Sequence, residues 1–305
     1  MSGKLDRITL LNTFVRIAET GSISAAARDL GLSQPSASRQ LFELERRFKT
    51  QLIRRNTHSL ALTDSGTELL FDSRQLIDSW ESLEEKYLSE KKTVKGNLKV
   101  VAPIALGQEH LTRIACEFQL QYPNVSLTWE LLDETIKFAE VGCDCWIKVG
   151  PVPDETLIVR PLVSIERFLV ASKEFLNHYG LIKSPEASAE LPFIALSPFE
   201  WSKVTLSHNN KRDVTIEPML RMKTNNIFAL KEATLKGVGM SIMPKWFVSS
   251  ELKNGELVDL LHGWKAPFLT VHLAYLPSRH QPLRLRTFID FLTKEVPLIE
   301  GLNSV

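Results

Sequence analysis

Cysteine is scarce in this chain, which contains only Cys116, Cys143 and Cys145. A small, odd number of cysteines fits a reducing cytosol better than a disulfide framework. Cys143 and Cys145 would share one face of an extended segment, but a metal site needs three or four ligands and no histidine lies near them. We therefore expect no metal and no cofactor, and interpret the cysteines as small buried side chains. Redox sensing by a cysteine stays an alternative.

Long apolar runs are missing as well. No run approaches the roughly 18 apolar residues that a membrane span needs, and no apolar stretch with a cleavage site follows the first methionine. We expect a cytoplasmic protein that does not contact membranes. Its hydrophobic content of 44% is enough to build substantial cores.

Common catalytic signatures are also absent. The sequence has no GxSxG elbow, HExxH motif, paired CxxC motifs or Walker loop. Gly237 and Gly239 follow a predicted helix and precede a predicted strand, which is the reverse of the order in a phosphate-binding loop. We predict that the protein is not an enzyme.

Positive charge is concentrated in the N-terminal segment, although the whole chain carries a net charge of only +1. Residues 1–62 contain ten lysines and arginines against five acidic residues, so this segment is +5 and the remainder is −4. A local positive excess attracts phosphate groups. The distribution predicts double-stranded DNA as a partner of this segment.

Residues 22–48, SISAAARDLGLSQPSASRQLFELERRF, are typical of two helices joined by a tight turn. Ser22 and Ser33 can cap the two helices, and Gly31 supplies the turn between them. Pro35 fits the first turn of the second helix, where a missing N–H costs little. The pattern predicts a helix-turn-helix, with a purely structural helical hairpin as the alternative.

Apolar residues at helical spacing predict which faces pack. A preceding helix would pack through Leu5, Ile8, Leu11, Val15 and Ala18. The first helix of the hairpin would pack through Ile23, Ala26, Ala27 and Leu30, and the second through Ala37, Leu41, Leu44 and Phe48. The polar residues left on the outer side of the second helix are Gln34, Ser36, Ser38 and Arg39. Side chains of these types reach base edges and phosphates.

Residues 52–62 predict a strand, a turn and a returning strand. Such a ribbon beside the second helix would set Arg54 and Arg55 against the sugar-phosphate backbone or a minor groove. An ordinary surface hairpin with solvated arginines is the alternative.

The first 66 residues resemble the DNA-binding domain of LysR-type transcriptional regulators, through AETGSISAAARDLGLSQPSASRQLFELERRF and the closing LALTDSG. Lys49 departs from the glycine that usually ends the second helix in that family. His58 and Ala61 stand at positions of the ribbon, or wing, that are often basic in relatives. The resemblance implies DNA contacts by Gln34, Pro35, Ser38 and Arg39. Together with the helix and ribbon patterns, it predicts contacts by Ser33, Gln34, Pro35, Ser36, Ser38, Arg39, Arg54 and Arg55.

A long helix is predicted from Thr63, which can cap it, because no proline follows until Pro103. An apolar repeat in steps of four and three is typical of a coiled-coil seam. It is formed by Leu69, Ser73, Leu76, Trp80, Leu83 and Tyr87. The seam would join two chains on a two-fold related DNA site, although the stripe could instead pack on its own domain.

Strands and helices alternate beyond the polar segment 91–97, which predicts mainly parallel sheets covered by helices. VAPIALGQEHL, DCWIKVGPVPDETLIVRPL and TNNIFALKEATLKGVGMSIMPKWFV resemble the effector domain of the same family. The resemblance implies a two-lobed, periplasmic-binding-protein-like (type 2) domain, crossed twice by the chain, with a small-molecule effector in its cleft. The cleft residues it implies are Pro103, Ile104, Ala105, Asp133, Trp201, Asn225, Asn226 and Ile227.

The start of the helix after Asn225 and Asn226 could hold an anionic group through free backbone N–H groups. The alternative is that these asparagines only cap the helix. Relatives often place a hydroxyl where Ala105 stands, so this cleft would accept a less polar or different ligand.

The predicted fold class is thus α/β, with an N-terminal winged helix-turn-helix domain (1–62), a linker and dimerisation helix (63–95) and a regulatory domain (96–305). Lobe I would span about 96–164 and 268–305, and lobe II about 165–267. We expect a dyad-binding, effector-modulated transcriptional regulator that forms dimers or, as family members commonly do, dimers of dimers. RNA polymerase is open as a further partner. The rivals are an enzyme and a solute-binding protein, and the basic N-terminal segment and the missing signal peptide disfavour the second.

Overall fold

The structure is a computed structural model that describes residues 6–56, 59–88, 93–197, 199, 201–278 and 281–305. The predicted turn residues Thr57 and His58 and the linker residues Lys91 and Lys92 lie outside these ranges. Within them, no helix combines the length and the apolar character needed to cross a membrane.

The N-terminal part contains three helices and a β-ribbon. They are α1 (Arg7–Thr20), α2 (Ile23–Asp29), α3 (Gln34–Phe48), β1 (Ile53–Asn56) and β2 (Ser59–Leu62). The hydroxyl of Ser22 accepts from the Ala25 N–H, and that of Ser33 from the Ser36 N–H, each at 3.3 Å. Gly31 has a φ of +65°, which a glycine adopts without strain. The predicted caps and turn are present.

The core of this part lies where α1, α2 and α3 cross. Ala37, Leu41 and Leu44 are buried as predicted, but Phe48 is 53% exposed because it is the last residue of α3, beyond the crossing. Leu30 is also exposed, since α2 ends at Asp29. The buried face of α1 differs from the predicted stripe, of which only Leu11 is buried and Leu5 lies outside the described residues. That buried face consists of Leu10, Leu11, Thr13, Phe14 and Ile17.

The linker helix α4 (Asp64–Leu88) begins after Thr63, whose hydroxyl accepts from the Gly66 N–H at 2.9 Å. Leu70 and Ile77 pack into the N-terminal core. Ser73 is buried with them, so its prediction as a seam residue is wrong. Leu69, also predicted in the seam, is half-buried against the same core. The rest of the stripe is exposed and consists of Leu76, Trp80, Leu83 and Tyr87.

The C-terminal part alternates strands and helices through its first half. The elements are β3 (Gly96–Ala102), α5 (Ile104–Leu106), a π-helical turn (Gly107–Leu111), α6 (Thr112–Gln121), β4 (Val125–Leu131), α7 (Phe138–Val141), β5 (Cys145–Val149), β6 (Ile158–Ser172), α8 (Lys173–Tyr179) and α9 (Pro185–Ala189). The remaining elements are β7 (Pro192–Leu196), β8 (Val204–His208), β9 (Lys211–Ile216), β10 (Met219–Thr224), α10 (Ile227–Leu235), β11 (Ser241–Pro244), α11 (Lys245–Asn254), β12 (Leu257–Asp259), β13 (Trp264–Tyr275), α12 (Leu283–Glu295), a 3₁₀ turn (Val296–Leu298) and β14 (Leu302–Ser304).

Two long strands, β6 and β13, run antiparallel to each other through the whole domain. The main sheet has the order β11-β6-β13-β5-β3-β4. Only β3–β4, β3–β5 and β7–β10 pair in parallel among the described strands, so the expectation of mainly parallel sheets is wrong. The reason is that β6 and β13 each pair antiparallel with several neighbours.

The same two strands connect two lobes. The first half of β6 and the second half of β13 belong to a core with β3, β5 and α12. Their other halves pack in separate cores with β7, β8, β11 and α10. The pairing register shifts between Ala266 and Leu269, where the chain passes from one lobe to the other. The predicted two-lobed α/β fold with two crossings is confirmed.

The cysteines have different surroundings. Cys116 is exposed on α6, so its prediction as a buried residue is wrong. Cys143 and Cys145 are buried but pack in two different cores rather than on one shared face, because Cys143 precedes β5. Burial raises the pKa of Cys143 to about 12 and that of Cys145 as well, which disfavours the reactive thiolate at both positions.

Candidate DNA-binding surface and ligand cleft

The leading end of α3 carries an uncovered polar edge. Ser33, Gln34, Pro35 and Arg39 are exposed, whereas Ser36 and Ser38 are half-buried. The Ser33 hydroxyl donates to the Ser36 hydroxyl at 3.0 Å and also caps the helix. Gln34 and Arg39 are therefore the long side chains that this edge presents outward.

The end of α3 keeps a left-handed turn although lysine replaces glycine there. Lys49 has φ +52° and ψ +34°, and its N–H donates to the Glu45 carbonyl. Holding a non-glycine residue in this region costs about 1 kcal/mol. The departure from the family pattern thus changes the residue but not the geometry of the helix end.

The β1–β2 ribbon lies after α3 as predicted, with Ile53 paired to Leu62 and Arg54 paired to Ala61. The Arg54 side chain is exposed. The Arg55 backbone belongs to β1, but its side chain lies outside the described part of the structure. Contact of both arginines with DNA stays a prediction.

A cleft of about 380 Å³ lies between the two lobes. It is lined by six of the eight predicted residues, namely Pro103, Ala105, Asp133, Trp201, Asn225 and Ile227. Trp201 presents its ring, since its indole N–H already donates to the Leu196 carbonyl at 2.7 Å. A cavity of this size is at the small end of the range for small-molecule sites.

Ile104 and Asn226 are not in the cleft lining. The Ile104 N–H donates to the Asp133 carboxylate at 2.9 Å, which orients that carboxylate. The Asn226 side chain accepts from the Phe228 and Ala229 N–H groups at 2.9 and 3.1 Å. Asn226 is therefore the cap of α10, and it occupies N–H groups that could otherwise hold an anion.

Sequence reasoning missed two cations in the cleft, Arg167 and Lys148. The Arg167 guanidinium donates through Nε and Nη2 to the Pro267 carbonyl at 3.0 and 2.6 Å. Lys148 donates from Nζ to the Asp133 carbonyl at 3.1 Å. Lys148 is the one charged residue of β5, and this was a signal that could have identified it. Arg167 gave no such signal, because β6 also contains Arg160 and Glu166.

Burial lowers the pKa of both cleft cations. The pKa of Arg167 falls to about 10, with burial as its cause, and the guanidinium stays charged at neutral pH. Burial also lowers the pKa of Lys148, while the nearby Asp133 carboxylate opposes the change. Within the described ranges, no cluster of three histidine, cysteine or acidic side chains could hold a metal ion.

A helix-turn-helix with an exposed polar edge, joined through a long helix to a two-lobed domain with a cleft, defines a ligand-responsive DNA-binding regulator. Two family models match the chain. "Bacterial regulatory helix-turn-helix protein, lysR family" matches residues 8–67, and "LysR substrate binding domain" matches residues 91–297. The second match spans more than half of the chain, and the protein belongs to the LysR family of transcriptional regulators.

Named relatives agree with this assignment. The chain is 29% identical to the HTH-type transcriptional regulator PtxR of Pseudomonas aeruginosa, over 97% of this chain and 96% of the relative. It is 25% identical to the HTH-type transcriptional activator AaeR of Escherichia coli, over 95% and 94% of the two chains.

Solved structures show the same fold along almost the whole chain. A full-length variant of OxyR from Pseudomonas aeruginosa has a TM-score of 0.71 at 16% identity, covering 97% of this chain and 96% of that one. Full-length AphB of Vibrio cholerae has a TM-score of 0.58 at 23% identity, covering 94% and 98%.

Proposed function

We propose that this regulator inserts the leading end of α3 into the major groove of a two-fold related DNA site. The observation that carries the proposal is the exposed polar edge of a helix whose opposite face is buried. Gln34 would face base edges, while Arg39 and Arg54 would pair with phosphates. Ser33, Pro35, Ser36, Ser38 and Arg55 would complete the contact. We place the domain limits at 62/63 and 95/96.

The exposed stripe of α4 supports a dimer. Its apolar side chains follow one another in steps of four, three and four residues, which is the spacing of a coiled-coil seam. Two helix-turn-helix copies on one site add their binding free energies, so a dimer binds that site more tightly than a single copy does. Assembly into a dimer of dimers and contact with RNA polymerase are further parts of the proposal.

Binding of a small molecule in the cleft would change how the N-terminal domains bind DNA. A ligand that binds two lobe arrangements unequally shifts their populations by its difference in affinity. The shift reaches the DNA if it changes the spacing of the paired α4 helices. No catalytic step is needed for this function.

The direct test is selection of DNA sites from a random pool by the full chain. We expect recovered sites with two related half-sites, spaced by one or more helical turns. Binding should weaken steeply as salt rises, because phosphate contacts release counterions. The Gln34→Ala variant should recover a different consensus. Sites without a dyad, or an unchanged consensus for the variant, would contradict the docking.

A further inference from the structure

The chemistry of the cleft identifies the class of its ligand. Arg167 is 9% exposed, and its guanidinium is fixed against the Pro267 carbonyl at the point where β6 enters lobe II. Its charge lies 5.5 Å from the centre of the Phe199 ring. Among the described residues, no carboxylate oxygen lies within 4 Å of its nitrogen atoms. A buried cation of this kind is costly unless an anion compensates it.

Lys148 adds a second positive charge from the other lobe. It lies in β5, which pairs with β3 in lobe I, and its ammonium group donates to a backbone carbonyl rather than to a carboxylate. The one acidic side chain in the described lining, Asp133, already accepts the Ile104 N–H. This lining therefore carries two positive charges against one negative charge.

The rest of the lining is mainly apolar. Trp201 and Phe199 offer ring surfaces, and Ala105 and Leu269 contribute aliphatic surface. This surface favours burial of a hydrocarbon group and disfavours a sugar or a second charged group, whose polar atoms would lose hydrogen bonds to water.

We propose that the cleft binds a small organic acid with a single carboxylate and an apolar body, the carboxylate pairing with Arg167 and Lys148. This inference rests on the proposed role of the cleft as the effector site. The two cations belong to different lobes, so one carboxylate bridging them favours the closed lobe arrangement. Asn225 also lines this cleft, and the cap of α10 is Asn226.

The test measures binding of matched acids and amides to the full chain by titration calorimetry and thermal shift. The probes are benzoate, phenylacetate and 3-methylbutanoate, each with its neutral amide, and acetate as an anion without an apolar body. We expect at least one of the three larger acids to bind and raise the melting temperature, while its amide binds at least tenfold more weakly and acetate does not bind. Equal binding of acid and amide, or no binding by any of the three acids, would overturn the ligand class.

Two variants locate the site. Lys148→Met and Arg167→Met should each weaken binding of the acid at least tenfold, because each removes one of the paired charges. If loss of the Pro267 contact unfolds Arg167→Met, Lys148→Met still decides the question. Lys294→Met, which removes an 80% exposed lysine side chain from α12, is the matched control and should bind the acid normally. An undiminished affinity of Lys148→Met would overturn the assignment.

DNA binding by the same variants separates this proposal from the proposed function. Lys294→Met, which alters neither the cleft nor the helix-turn-helix, should bind the selected DNA site as tightly as the unmodified chain in the absence of acid. An unmodified chain that binds DNA specifically but shows no preference for acid over amide would disprove the ligand class alone. Loss of sequence-specific binding by the unmodified chain would instead disprove the function.

Discussion

Arg284 in α12 pairs with Asp78 in the linker helix α4, 206 positions away in the sequence. The same guanidinium donates to Glu81 at 2.8 Å and to the Asn97 carbonyl at 2.6 Å. The Arg284 side chain is 7% exposed, whereas those of Asp78 and Glu81 are 26% and 45% exposed. Arg284 therefore attaches α4 to lobe I, on the route by which a change in the cleft would reach the DNA-binding end.

Loss of Arg284 should destabilise the protein. The Arg284→Met variant removes the hydrogen bonds to Asp78, Glu81 and the Asn97 carbonyl, but the two carboxylates are 26% and 45% exposed and can be rehydrated, so we expect a loss of about 1–3 kcal/mol. We expect a melting temperature several degrees lower, measured by calorimetry on the full chain. Lys294→Met, on the same helix but exposed, should melt within about 1 °C of the unmodified protein. Equal melting temperatures of the two variants would show that the contacts of Arg284 with α4 do not stabilise the protein.

Asp78 should make stability depend on pH near neutrality. Burial raises its pKa to about 7, with Asp144 and Glu81 adding to the rise and Arg284 opposing it. The unfolded carboxyl has its ordinary pKa near 3.8, so between about pH 4 and 7 the folded chain binds a proton that the unfolded chain does not. The contribution of Asp78 to stability therefore increases as pH falls from 8 to 5.

The measurement compares the unmodified chain with Asp78→Asn, which cannot titrate at this position. The difference in melting temperature, unmodified minus variant, should increase steadily from pH 8 to pH 5. Titration of groups that do not interact with Asp78 cancels in this difference. A difference that is constant, or that decreases on acidification, would contradict the raised pKa.

Local signals in the sequence predicted the N-terminal part well. Capping by Ser22, Ser33 and Thr63 depends on a hydroxyl and its near neighbours, and the left-handed turn at Gly31 depends on one residue. Burial at helix ends was less predictable, because the exposure of Phe48 and Leu30 depends on where another helix crosses. Spacing alone carries no information about that crossing.

The cleft was predicted only in part, for a related reason. Pro103, Asp133 and Trp201 follow strands and could be placed by resemblance. Arg167 and Lys148 lie within strands that the sequence pattern predicts to be buried. They line a cleft only because the two lobes face each other. That arrangement depends on contacts between distant segments, such as the hydrogen bond from Arg167 to the Pro267 carbonyl.

The exposed stripe of α4 should hold two chains together. Leu76→Glu places a charge in the predicted seam, where it would be buried without a partner in the dimer. We expect the dimer dissociation constant, measured by sedimentation, to rise at least tenfold. Leu181→Glu adds the same charge at an exposed leucine of lobe II and should leave association unchanged. If both variants associate equally, the seam lies elsewhere.

Arg39 should contribute to DNA binding mainly through a phosphate. Removing one phosphate-binding side chain lowers affinity for all sequences alike and reduces the slope of log affinity against log salt by about 0.9. We expect this for Arg39→Ala, measured on the selected site between about 50 and 200 mM salt, a range over which phosphate contacts change affinity strongly. Arg46→Ala is the matched control, because it removes the same charge from the far end of α3, where Arg46 pairs with Glu43. The Arg46 variant should keep the original slope. If Arg39→Ala behaves like its control, the leading end of α3 does not lie against the phosphate backbone.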